Sequence, residues 1–216
     1  MTAVRLRTQI EALRPKQWIK SVFVLAPLLF SGAFRIPSAF LAAVAASLAF
    51  SMCASAVYLI NDVCDAEADR HHPTKRLRPV ARGDLAPRNA IAMAAALLLP
   101  GIGVAAALSA RIALILAAYV GMNVIYSRVL KSEAFLDVMV IAMGFVLRIV
   151  VGARAVDVAL SHWMILTTFF LALFLGFGKR REEIVATEHA YEQRTVMRHY
   201  SLGLLNGLIF VTAALT

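Results

Sequence analysis

Charge is scarce in this chain. Only 16% of its 216 residues are Asp, Glu, Lys or Arg, against roughly 25% in a soluble domain. Cysteine is scarcer still. Cys53 and Cys64 make neither a disulfide framework nor a zinc spacing. The five histidines, His71, His72, His162, His189 and His199, show no metal-ligand spacing with the cysteines or with one another. Gly-x-Ser-x-Gly, a Walker loop and Gly-x-Gly-x-x-Gly are all missing, which leaves the common hydrolase and nucleotide-binding signatures without support. No small-residue cleavage site ends a short uninterrupted apolar core near the amino terminus, so no cleavable signal peptide is read there.

Apolar length is what the chain has instead. It is 61% hydrophobic with mean hydropathy +0.75, and nearly uncharged runs recur at the roughly 20-residue length that crosses a bilayer. We read seven spans, near 19–34, 38–60, 90–110, 112–127, 134–154, 162–178 and 201–216. They imply an all-α, polytopic membrane bundle forming one domain over residues 1–216.

Net charge of +9 would suggest nucleic acid in a soluble protein, but topology explains it better. With the amino terminus in the cytoplasm, 18 of the 22 Lys and Arg fall on the cytoplasmic side. Only Arg35, Arg111 and Arg154 lie outside, and Arg148 lies within a span. The positive-inside rule therefore fixes the orientation. The two long polar segments, 61–89 and 179–200, both face the cytoplasm, and function is expected there. No nucleic-acid partner is expected. The sequence is compatible with a homo-oligomer. It stops at its seventh apolar run with no polar tail after Thr216, and is expected to be truncated there.

The most informative segment follows the second span. Asn61, Asp62, Asp65 and Asp69 stand between an apolar run and a basic loop. At about 100° per residue, the three aspartates fall within roughly 60° of one another on a helix. Glu67 points away and Asn61 flanks Asp65. Hard oxygens gathered on one face suit Mg²⁺, which binds through carboxylates together with substrate phosphates. A solvated helix end is the alternative, but three like charges so close repel unless a cation sits among them. Asp62, Asp65 and Asp69 are the candidate catalytic residues, and with Asn61 the candidate metal ligands.

Thr74-Lys75-Arg76-Leu77-Arg78 follows at once, between Pro73 and Pro79. It can serve merely as the positive-inside signal. Bracketed by prolines that restrict the backbone, Lys75, Arg76 and Arg78 are also placed to bind a pyrophosphate or a sugar phosphate. Trp18 reads equally well as an interfacial anchor, whereas Lys20 lies inside the first apolar run. Arg148 is a cation at mid-span, where charge is costly and usually faces a partner or an inward site. Asp137 lies three turns earlier on the same side, and a structural pair between helices is the competing reading. Lys179, Arg180 and Arg181 close the sixth span, where basic clusters also bind anionic headgroups without specificity. The glycines at 101, 103 and 121 read as ordinary membrane-helix packing.

Asn61-Asp62-x-x-Asp65-x-x-x-Asp69 resembles the first aspartate motif of the UbiA superfamily of intramembrane prenyltransferases. Arg14-Pro15-Lys16-Gln17-Trp18-x-Lys20, His72-Pro73-Thr74-Lys75-Arg76-x-Arg78-Pro79, Tyr126-Ser127-x-x-Leu130-Lys131, the 136–152 stretch and Lys179-Arg180-Arg181-x-Glu183 narrow it. Together they resemble the branch that acts on decaprenyl phosphate as a phosphoribosyltransferase. Ser21 stands where that branch has Asn. The resemblance implies nine helical spans around a cavity open to the cytoplasm, seven of them present here. It implies Mg²⁺ on the first motif. It further implies a transferase in the bacterial inner (plasma) membrane, moving 5-phosphoribose from phosphoribosyl pyrophosphate to a polyprenyl phosphate lipid for cell-wall arabinan synthesis. Lys20, Lys75, Arg76, Arg78, Tyr126, Lys131, Asp137, Arg148, Lys179, Arg180 and Arg181 are then the expected substrate-binding residues. Transfer of a prenyl group from prenyl pyrophosphate to an aromatic or other acceptor is the rival on the same scaffold. It fits less well, because cations stand where aromatic prenyltransferases carry a second acidic motif. A transporter or inert scaffold using Asp137 and Arg148 is the third reading, and it would need no metal.

Overall fold

The computed structural model describes residues 2–130, 133, 135–186 and 200–216. Among the described residues there is no strand, and the elements are helices throughout. They are α1 (Thr2–Leu13), a 3-10 stretch (Pro15–Leu25), α2 (Ala26–Phe30), a 3-10 turn (Ala33–Arg35), α3 (Pro37–Cys64), α4 (Ala66–Arg70), a 3-10 turn (Lys75–Leu77) and α5 (Pro87–Leu108). Then come α6 (Ala110–Ile125), a π turn (Tyr126–Leu130), α7 (Leu136–Ala155), α8 (His162–Ala186) and α9 (Leu202–Leu215).

Five helical segments are long and apolar enough to cross a membrane: Pro37–Cys64, Pro87–Leu108, Ala110–Arg128, Leu136–Ala155 and His162–Val185. They correspond to five of the seven expected spans and make this a multi-pass membrane protein. One of the other two is not a single α-helix. The run at 19–34 is broken into a 3-10 stretch and the short α2. Pro27 has no N–H to give the Phe23 carbonyl, and that carbonyl accepts instead from Ala26. Gly32, at φ 73°, then turns the chain. The other, the run at 201–216, forms α9, an apolar helix of 14 residues.

The chain divides into two compact units. One comprises residues 1–124 and 148–158, the other 125–147 and 159–216. In the first, α3 packs closely on α5. A side chain at Gly101 would meet Cys53 Sγ at 3.0 Å and the Ala49 carbonyl at 3.2 Å. At the end that carries the 71–86 loop, Ala12, Ala56, Leu59, Val80, Leu85 and Ala90 form a core that seats this loop against α1. A serine ladder on α3 ties the 3-10 stretch down. Ser47 donates to the Ser21 carbonyl at 3.0 Å, Ser51 to Ser21 Oγ at 2.8 Å, and Ser55 to the Leu13 carbonyl at 2.8 Å. Residues four apart share a helix face, so one stripe satisfies backbone and hydroxyl groups that a bilayer cannot.

In the second unit, Val138, Ala142, Ala172, Leu173, Phe177, Tyr200 and Leu205 form the core between α7, α8 and α9. Gly176 lies so close to Val138 Cγ1 that no Cβ fits there.

Candidate functional site

The first unit gathers the candidate residues around the end of α3. The single helix face expected for the three aspartates is interrupted. Helix α3 stops at Cys64, Asp65 has φ −96° and ψ 0°, and α4 begins at Ala66. The backbone stays near-helical, because the Asp65 and Asp69 N–H groups still reach Asn61 and Asp65 carbonyls at 2.9 and 2.8 Å. Asp62 and Asp69 therefore remain on one side, and both are buried. Asp65, at the break, is half-buried. Glu67 is exposed and pairs with Arg70 at 2.7 Å.

Two arginines occupy the buried carboxylates. Arg78 Nη1 lies 2.6 Å from Asp69 Oδ2 and 3.2 Å from Asp62 Oδ1, bridging them. Arg14 Nη2 meets the same Asp62 oxygen at 2.5 Å. Arg14 was not among the expected site residues. Its backbone is left-handed, at φ 53° and ψ 58°, an uncommon conformation for a residue with a Cβ. It forms the corner between α1 and the 3-10 stretch, and its guanidinium lies 5.0 Å from the Tyr58 ring centre. The sequence signals for it are its place before Pro15 at a helix end and its membership of the Arg14-Pro15-Lys16-Gln17-Trp18-x-Lys20 motif. Arg78 is carried by the 71–86 loop, and Arg82 pins that loop to α1 through two bonds to Glu11, at 3.2 and 2.9 Å.

Among the described residues, no group of three or more His, Cys, Asp or Glu side chains is gathered to hold a metal ion. The interposed arginines account for that. The donor set nevertheless fits a hard divalent cation. Oxygens of Asp62 and Asp69 converge on one positive nitrogen, and beside them the buried Asn61 Oδ1 has no hydrogen-bond partner among the described residues. Carboxylate oxygens converging on one point are what Mg²⁺ takes, together with substrate phosphates.

Of the other expected residues in this unit, Lys20 and Lys75 are half-buried and Arg76 is exposed. Arg148 is buried. Its guanidinium lies 4.4 Å from the Phe50 ring centre and 5.4 Å from that of Tyr119, an arrangement in which aromatic faces offset the cost of a cation in the bilayer. Trp18 donates its indole N–H to Ser55 at 2.9 Å, so it is tied to the helix bundle as well as lying at its edge.

The second unit holds a separate polar network. Asp137 is fully buried and accepts from Tyr200 Oη at 3.1 Å. Arg180 Nε lies 3.4 Å from the other Asp137 oxygen, and Arg180 Nη1 is 2.6 Å from Glu183. Asp137 and Arg148 thus each have partners of their own. The Tyr200 oxygen also accepts the Phe135 N–H at 2.7 Å, holding Phe135 at φ 67°. Burial first, then the Asp137 carboxylate, pushes the Tyr200 phenol above its ordinary range. Arg181 is exposed and donates to Asn206 at 2.7 Å. Lys179 is exposed and Tyr126 is half-buried in the π turn. Lys131 lies outside the described residues. Tyr200 is a member of this network that sequence reasoning did not include, and Glu183 entered that reasoning only as part of the motif closing the sixth span.

The sequence matches the model of the UbiA prenyltransferase family over residues 21–183. It is 39% identical over 184 residues to the decaprenyl-phosphate phosphoribosyltransferase of Mycolicibacterium smegmatis, covering 83% of this chain and 58% of that protein. It is 40% identical over 183 residues to the protein of the same name from Corynebacterium glutamicum, covering 83% and 55%. The chain thus spans little more than half the length of these relatives. Among solved structures, a UbiA homologue from Archaeoglobus fulgidus bound to GPP and Mg²⁺ superposes with TM-score 0.75 at 20% identity. That match covers 96% of this chain and 76% of that one.

Proposed function

This chain belongs to the UbiA prenyltransferase family, and we propose that it transfers 5-phosphoribose from phosphoribosyl pyrophosphate to a polyprenyl phosphate lipid, decaprenyl phosphate in its relatives' name. One observation carries the reading. Arginines of phosphate-binding type pair with Asp62 and Asp69, Arg14 and Arg78 sharing Asp62 and Arg78 alone taking Asp69, in a chain 39–40% identical to two phosphoribosyltransferases.

Asn61, Asp62, Asp65 and Asp69 are the proposed Mg²⁺ ligands. The Archaeoglobus homologue binds the same ion. A bound Mg²⁺ supplies charge neutralisation to a pyrophosphate leaving group. Lys75, Arg76 and Arg78 bind the donor's phosphates, and Lys20 adds a cation from the 3-10 stretch. Lys131, Lys179 and Arg181 bind the acceptor phosphate. Arg180, held by Asp137 and Glu183, orients the helix end that carries Lys179 and Arg181. Tyr126 and Arg148 complete the proposed substrate-binding set. A phosphate monoester has a second pKa of about 6 and is largely dianionic at pH 7. Its oxygen can attack the anomeric carbon without a general base, so these side chains need only bind and orient. The orientation that supports the reading puts the amino terminus and the 61–89 and 179–200 segments in the cytoplasm, in a bacterial plasma membrane.

The test supplies the full chain in lipid with Mg²⁺, a polyprenyl phosphate and labelled phosphoribosyl pyrophosphate. Labelled lipid is expected. A second reading, prenyl transfer, is favoured by the GPP in the neighbouring fold. A parallel assay with prenyl pyrophosphate and an aromatic acceptor separates the two. Product only in the second assay overturns the phosphoribosyl reading.

A further inference from the structure

Arg78 and Arg14 take the same Asp62 oxygen, and Arg78 takes Asp69 as well. Those oxygens are the ones a divalent cation would need. Arg78 Nη1 stands where oxygens of both aspartates converge, the point a divalent cation would take at about 2.1 Å from its ligands, whereas Arg14 touches Asp62 alone. We propose that Arg78 and the divalent cation exclude one another at Asp62 and Asp69, so that cation entry releases the Arg78 guanidinium to bind the anionic donor. This rests on the metal-dependent reading above.

The two arginines are held differently, which decides which one moves. Arg14 is fixed at its backbone corner and over the Tyr58 ring. Arg78 is held through its backbone and by the two ion pairs that the cation would replace. Pro79 follows it, the Arg82 N–H bonds its carbonyl at 3.0 Å, and Arg82 anchors the loop to Glu11. The two side chains are equally exposed, at 26%, so what separates them is the Tyr58 ring against Arg14 and the place of Arg78 Nη1 between both carboxylates. Arg78 is therefore the exchanging group and Arg14 the static one.

The charge balance gives the exchange a direction. With both arginines on the aspartates, the cluster offers little positive field to a pyrophosphate. With a divalent cation there instead, the cation and a released guanidinium both face the incoming anion. Cation and donor then strengthen each other's binding, and the coupling is reciprocal.

The experiment measures Mn²⁺ affinity of the full chain in detergent or lipid, with no donor present, by electron paramagnetic resonance. Arg78→Gln is expected to bind Mn²⁺ about tenfold more tightly than wild type, within the usual span of coupling effects. Arg78→Lys keeps the charge with fewer donors and should fall between. Arg76→Gln removes the same charge from an exposed position in the same loop and should change affinity less than about twofold. Should Arg78→Gln fail to fold, the ordering of Arg78→Lys above wild type and Arg76→Gln carries the test. Variants at 78 that bind Mn²⁺ no better than Arg76→Gln overturn the exchange. Labelled ribose transfer by wild type in that case leaves the proposed activity standing, so the two failures are distinguishable.

Discussion

The backbone of Gly152 on α7 lies directly against the carbonyl oxygen of Val24 in the 3-10 stretch, and Pro27 Cδ closes the same space. A Cβ at 152 would overlap backbone atoms, which cannot rotate away as a side-chain tip can. Gly152→Ala should therefore destabilise the protein by about 1–3 kcal/mol, the usual cost of overpacking. Gly121→Ala, where a Cβ meets nothing within 4 Å, should be neutral or slightly stabilising, since alanine favours a helix. Unfolding of the two variants in the same detergent checks the contrast.

The serine ladder makes a second test. Ser55 serves two bonds, one to the Leu13 carbonyl and one from Trp18. Hydrogen bonds inside membrane proteins average about 0.6 kcal/mol, with a maximum near 1.7. Ser55→Ala should cost about 1 kcal/mol. Ser38→Ala, an exposed serine on the same helix, should cost about 0.3 kcal/mol or less. Equal costs would mean the 3-10 stretch is held by packing alone.

Tyr200→Phe removes a donor from Asp137 and an acceptor from the Phe135 N–H. Leaving those groups without their partner should cost about 1–3 kcal/mol at neutral pH. Alkaline pH adds a signature. The phenol's affinity for its proton is raised in the folded protein, so above its ordinary value of about 10 the unfolded chain loses that proton first. Stability then falls as pH rises past 10. In Tyr200→Phe that alkaline decline should be shallower than in wild type, measured by unfolding between pH 8 and 11.

The long spans were legible because apolar length is a coarse signal that tertiary contacts do not overturn. Residues 37–64 and 136–155 needed only hydropathy. In the 19–34 run hydropathy did not register the change from a 3-10 stretch to α2 at Ala26, beside Pro27. Asp62 and Asp69 lie on one side as helical spacing suggests, with Asp65 at the break between α3 and α4, but Arg14 as a partner of Asp62 was not legible. Its role depends on a left-handed corner bringing it onto Asp62 from 48 residues away, and no local pattern encodes such a distance. Gly152 and Gly176 were likewise silent. A packing glycine looks like any other until its neighbour is known. Gly103 and Gly121, read as packing residues, face open space.

The aspartates themselves give the sharpest functional contrast. Asn keeps the shape of Asp and can still accept a bond from Arg14 or Arg78 through its amide oxygen, so Asp62→Asn and Asp69→Asn should fold. What Asn removes is the negative charge that holds a divalent cation and, through it, the charge stabilisation of a leaving pyrophosphate. Asp62→Asn, Asp65→Asn and Asp69→Asn should each lower Mg²⁺-dependent ribose phosphate transfer by roughly 100-fold or more, the scale of losing a focused electrostatic contact. Glu67, two residues from Asp65 and Asp69 alike, is exposed and engaged with Arg70. Glu67→Gln should leave the rate within about twofold, as expected for an exposed charge. Initial rates over a Mg²⁺ titration, with melting temperature measured on each variant, separate lost chemistry from lost structure. Aspartate variants as active as Glu67→Gln would remove the cation from the mechanism.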